Sequence, residues 1–204
     1  MANLNTKIQL VIHNFPSPFY GYISIIVGLI GDLLSYLLFP EFDLTYMISA
    51  LGIGPGGIFF NLGLILSGLF ALFFYLYLAK VVKINHRDIK LLKIAKISSI
   101  NSCVFYCLIG IFPAIQENIL IGYLHGLSAV ICWLSAIVYL SSYGLLFLKS
   151  SNFLKFHGYL AFATALSIIV LLLTWTPITE WIMTFAIIIW IAVIASYTLI
   201  KKMH

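Results

Sequence analysis

The sequence predicts an all-α polytopic membrane protein: a compact bundle of six transmembrane helices, one domain over residues 1–204, both termini cytoplasmic. Three observations carry this expectation. The chain is 63% hydrophobic and only 8% charged, with mean hydropathy +1.12; a soluble domain carries roughly a quarter charged residues. The apolar residues gather in six runs, each close to the ~20 residues that cross a bilayer. The cations are also confined to alternate links between those runs.

The runs are Tyr20–Phe39, Ile58–Ala79, Ile97–Ala114, Tyr123–Leu148, Gly158–Trp175 and Trp181–Ile200. Residues 1–19 are too polar, and too broken by Pro16 and Pro18, for a secretory signal, so the first helix is expected to serve as an uncleaved anchor. Lys7 precedes it. Lys80, Lys83, Arg87, Lys90, Lys93 and Lys96 surround the link between helices 2 and 3. Lys149 and Lys155 join helices 4 and 5, and Lys201 and Lys202 follow helix 6. All 11 Lys and Arg thus fall on one side of a six-helix weave, which the positive-inside rule makes cytoplasmic. Glu41, Asp43, Glu117 and Glu180 fall on the other. The expected location is the plasma membrane of a prokaryote.

The same placement disposes of other classes. A net charge of +5 invites nucleic-acid binding, but no aromatic platform accompanies the charges, and topology explains them. Cys103 and Cys107 are one helical turn apart, a poor disulfide geometry, and with Cys132 they read as small buried hydrophobes. HExxH, a Walker loop and GxSxG are all missing. The run GIGPGG at 52–57 lacks the lysine and the amphipathic helix of a phosphate cradle. His125 and His157 lie near opposite surfaces, which excludes a bis-His haem. No cofactor and no metal are expected.

Helix contacts in lipid favour small and weakly polar residues. Helix 1 carries Ser24, Gly28, Asp32 and Ser35 on one stripe, and helix 2 offers Asn61, Gly68, Ala71 and Tyr75. Helix 3 repeats the pattern with Ser98, Ser102, Tyr106, Gly110 and Pro113. Helix 4 is clearest: His125, Ser128, Cys132, Ser135, Tyr139 and Ser142 hold one face. Helices 1 to 4 are therefore expected nearest the centre, with the Ile- and Trp-rich helix 6 peripheral. Most such residues serve packing. Asp32 stands apart, since a carboxylate inside a span is costly and marks function by default.

The candidate catalytic residues are His125, Asp32, Glu117 and Glu41, which the topology brings to one side; a histidine near a carboxylate is a general acid or base. Asn61 begins helix 2 at similar depth.

The segment TYMISALGIGPGGIFFNLGLILSGLFAL resembles the signature of an uncharacterised prokaryotic membrane family, domain-of-unknown-function family nine-nine-eight. The matching residues are Ile48, Ser49, Leu51 and Gly52, then Pro55, then Phe60 and Asn61. Further matches are Gly110 to Pro113, His125-Gly126, the small-residue helix after His157, and Trp190. The family is distantly similar to the damage-regulated autophagy modulator type of six-helix protein. The resemblance implies a six-helix fold and places Ser49, Gly52, Asn61 and His125 at signature positions. Ala50 stands where the family usually has an acid, so an acid role there would pass to Glu41 or Asp43. The resemblance brings no activity, substrate or cofactor.

The leading functional expectation is a non-enzymatic lipid-interacting module or accessory subunit of a membrane assembly. Its partners would be membrane lipids, other membrane subunits or a second copy. The alternative is a membrane enzyme with an outward-facing His/carboxylate site acting on a lipid-like substrate. A small-solute carrier is weaker, because Gly110–Pro113 lies too near a helix end for a midplane break.

Overall fold

In lipid every backbone N–H and C=O must find a partner within the chain, so apolar runs of this length close into helices. The computed structural model describes residues 18–82, 88–115 and 118–203. It has α1 (Phe19–Leu37), α2 (Gly57–Val81), α3 (Ile89–Ile111), α4 (Ile119–Lys149), α5 (Lys155–Thr174) and α6 (Pro177–Ile200). A short 3-10 helix, Ile48–Gly52, lies between α1 and α2, and no strand occurs among the described residues. All six helices are long and apolar enough to cross a membrane, and the chain is an integral membrane protein.

Local chemistry marks the ends. Asn118 caps α4 by accepting the Ile121 amide at 3.2 Å. The turn from α5 to α6 combines Trp175 in the left-handed region (φ 47°) with Pro177 opening the next helix. Helix α3 starts eight residues before the expected Ile97, carrying Lys90, Lys93 and Lys96 into its first turns. Those lysines are unfavourable in lipid but compatible with helix, because their long stems hold the ammonium groups in the polar interface. The lysine-bearing end is called the basic end below, and the other the far end.

Each helix packs on its chain neighbours, and α6 returns against α1 to close a ring. Helices α1 and α2 meet most closely at Gly31 and Gly63: a Cβ on Gly31 would stand 2.7 Å from the Phe59 carbonyl oxygen and 2.9 Å from the Gly63 Cα. The α1–α6 seam is the most sparsely packed in the ring. At the axis, Tyr75, Tyr139 and Trp190 come together from α2, α4 and α6. Tyr75 donates its hydroxyl to that of Tyr139 at 2.8 Å. The Trp190 ring lies 6.0 Å from Tyr75 and 6.1 Å from Tyr139.

The expectation for the individual helices requires correction. Helix α6 is only in part peripheral: 33% of its spanning window is buried, yet Trp190, Ile194 and Ala195 on its inner face are fully buried. Helix α1 is the outlying one: 22% of its spanning window is buried, against 56% for α4. The physical reason is that α6 fills the centre with bulk rather than with the small residues that betray close helix contact. The α4 stripe does face inward: Ser128, Cys132, Tyr139 and Ser142 are buried. Asn101 and Ser102 of α3 bond the Ser135 hydroxyl (2.7 Å) and the Cys132 carbonyl (3.2 Å).

Candidate functional site

The signature residues at the far end act on backbone. Asn61 donates Nδ2 to the Gly52 carbonyl at 3.0 Å. Ser35 donates its hydroxyl to the Leu51 carbonyl at 2.9 Å. These two bonds fasten the 3-10 helix to α2 and α1. A Cβ on Gly52 would meet Asn61 Oδ1 at 2.8 Å, which accounts for glycine there. Glu180, in the first turn of α6, faces the amides of Ile48 and Ser49 and the Ser49 hydroxyl. Ser49 and Glu180 therefore lie close together, a proximity the separation of 131 positions hides from sequence reasoning.

His125 sets its Nδ1 2.7 Å from the Phe112 carbonyl oxygen, tying the start of α4 to the end of α3. Glu41 is exposed in the loop after α1. Glu117 lies outside the described residues. Asp43 accepts the Thr45 hydroxyl (2.6 Å) and amide (2.7 Å), and these bonds hold its exposed carboxyl below the usual range. At the basic end, His157 accepts the Leu154 amide at 3.1 Å and opens α5. Lys149 pairs with Asp88 at 2.6 Å. Among the described residues no group of three His, Cys, Asp or Glu is placed to hold a metal.

Asp32 has a different setting. It lies five residues before the end of α1, roughly 8 Å along the axis. It lines a cavity of about 110 Å³ inside the ring, to which every helix except α5 contributes. The polar part of the wall is Asp32 with Ser24, Ser67, Ser102, Tyr106 and Thr184. Ser24 donates to the Ser67 carbonyl at 3.0 Å, its hydroxyl 3.1 Å from that of Ser67. Tyr106 faces Ser67 and lies within electrostatic range of Asp32. The Tyr75–Tyr139 pair lines the end nearest the bundle axis.

A second cavity, of about 200 Å³, follows the α1–α6 seam toward the far end, among Leu33, Tyr36, Trp181 and Phe185. The two cavities share Leu29, Asp32, Thr184 and Ile188, so Asp32 stands on the boundary between them. Leu29, on both walls, is 41% exposed. Of the described residues of the expected His/carboxylate set, only Asp32 lines these cavities; His125 and Glu41 line neither. Ser49, Gly52 and Asn61 are likewise absent from both walls.

Sequence reasoning named Asp32 but missed Ser67, Trp133, Thr184 and Met183 as its neighbours. The available signal was depth. Asp32, Tyr106 and Thr184 each lie five to seven residues from the far end of their helices.

A family model described as Protein of unknown function (DUF998) matches residues 22–197. No curated protein and no solved structure matches the chain.

Proposed function

Because the chain belongs to the DUF998 family, whose description carries no activity, we propose its function from its geometry: it is a lipid-interacting membrane module. An amphiphile enters sideways between α1 and α6 and rests its polar group at Asp32. The single observation supporting this reading is the pair of cavities that meet at Asp32 along the most sparsely packed seam of the ring. A carboxylate at mid-helix in lipid costs about 2.5–3.5 kcal/mol on insertion scales. Retaining one on the outlying helix, facing a cavity with apolar walls, suits a site for a molecule with one polar end. In this reading the basic end is cytoplasmic, with both termini there, in a prokaryotic plasma membrane. The lysine placement supports the orientation; the family resemblance supports the host.

The test is native mass spectrometry of the intact chain released from its own membrane. The expected result is one retained amphiphile per chain, lost when Leu29→Trp fills the junction. A wild-type chain that emerges without an amphiphile, or a Leu29→Trp chain that keeps it, overturns the proposal. No observation favours the enzyme or the carrier, and the apolar faces toward lipid need no partner subunit.

A further inference from the structure

The cavity wall carries more information than its shape. Among the described residues no Lys, Arg or His lines either chamber, and Asp32 has no protein hydrogen bond or ion pair. Of the nearby hydroxyls, Ser24 is bonded to Ser67, and Ser102 to Cys132. The remaining lining includes the rings of Tyr75, Tyr106, Trp133 and Tyr139 around the inner chamber. Tyr36 and Trp181 line the outer one. A carboxylate without a counter-ion, in a chamber lined by aromatic and aliphatic side chains, is complementary to a cation. Aromatic faces add to that attraction, most of all for quaternary ammonium groups.

Size narrows the class. The inner chamber, at about 110 Å³, is smaller than the roughly 150 Å³ cavity that accepts benzene. It admits a compact ammonium group and excludes a sugar or a folded acyl chain. The outer chamber is lined by Leu29, Leu33, Phe185 and Ile188, which suit the first carbons of an attached chain. A phosphate or sulfate would meet Asp32 with like charge and no compensating cation.

We infer that the Asp32 chamber is a site for lipophilic ammonium compounds, the ammonium beside the carboxylate and the aromatic rings, the chain leaving through the α1–α6 seam. This rests on the lateral-entry reading above and specifies its ligand.

The experiment compares two amphiphiles of one chain length, dodecyltrimethylammonium and dodecyl sulfate, titrated into the full chain in a nonionic maltoside detergent. Binding is read by isothermal titration calorimetry, with Ile188→Trp as a variant that fills the junction without altering charge. The wild type is expected to bind the ammonium compound saturably and the sulfate at least tenfold more weakly. Asp32→Asn, nearly identical in shape, is expected to weaken ammonium binding by about thirtyfold or more while its melting temperature is kept. Asp32→Glu restores the preference. Ile188→Trp abolishes it.

Equal binding of the two probes, blocked by Ile188→Trp, overturns the cation inference and leaves lateral entry standing. Unchanged ammonium binding in Asp32→Asn does the same. Failure of both probes to bind, with Ile188→Trp indistinguishable from wild type, overturns both.

Discussion

The basic half of the bundle carries the larger buried core, whereas the far half combines a smaller core around Phe42 and Leu51 with side-chain bonds to backbone. In the basic half Phe147 stacks on Phe153 at 4.3 Å, and His157 lies 4.3 Å from Tyr197. Tyr143, Leu146 and Phe147 are fully buried there. In the far half the fasteners are Ser35 on Leu51, Asn61 on Gly52 and His125 on Phe112. Between the two lies the Asp32 chamber. The difference teaches how a bundle stays hollow in a solvent that gives helices little hydrophobic reason to associate. Most of the packing lies in the basic half, while directional ties to backbone fix the helix ends of the far half beside its smaller core.

The comparison breaks most severely at Trp190. Trp190→Ala removes the ring on which the axis closes, at about 3–5 kcal/mol. Thermal unfolding in detergent is expected to show that loss, and a change within error would mean the centre is held by something else. Gly31→Leu comes next, since any side chain there meets the backbone of α2. Overpacking of this kind costs ~1–3 kcal/mol, and the readout is again the melting temperature.

Asn61→Ala sharpens the contrast, because it removes a tie and leaves the rings alone. The expected loss is about 1 kcal/mol, with faster hydrogen exchange confined to the 3-10 helix and the start of α2. Exchange that quickens equally around Phe147 would erase the distinction between the halves.

Asp43 gives the smallest effect. Its carboxyl is held low by Thr45, so the stability it contributes is present above the ordinary carboxylate value near ~3.9. That contribution is lost as pH falls through the lowered folded value. In melting curves recorded from neutral to strongly acidic pH, Asp43→Asn is expected to remove a slight part of the acid limb and change nothing at neutrality.

How far the sequence disclosed these halves depends on the kind of signal. Spans were legible because lipid demands long apolar runs, and the inward face of α4 because small polar residues recur at helical spacing. Trp190 was not legible as a central residue: in an Ile- and Trp-rich helix the lipid face and the core face have the same composition. At the candidate site, Asp32 declared itself by cost alone. Its neighbours did not, because Ser67, Trp133 and Thr184 become a wall only when α2, α4 and α6 are set around α1. The signature residues were legible as a block, yet their role required the fold, since Asn61, Ser49 and His125 each act on a partner from another segment.

The α1–α6 seam joins the first span to the last. During synthesis the helix bearing Asp32 enters the membrane well before the helix that completes the walls around it. Until α6 arrives, the carboxylate faces lipid on one side, and the chamber has no boundary to hold a guest. Site formation is therefore the final event in assembly. A chain halted after α5 would hold the walls from α1 to α4 but lack the α6 side of the chamber, leaving a single uncovered acid.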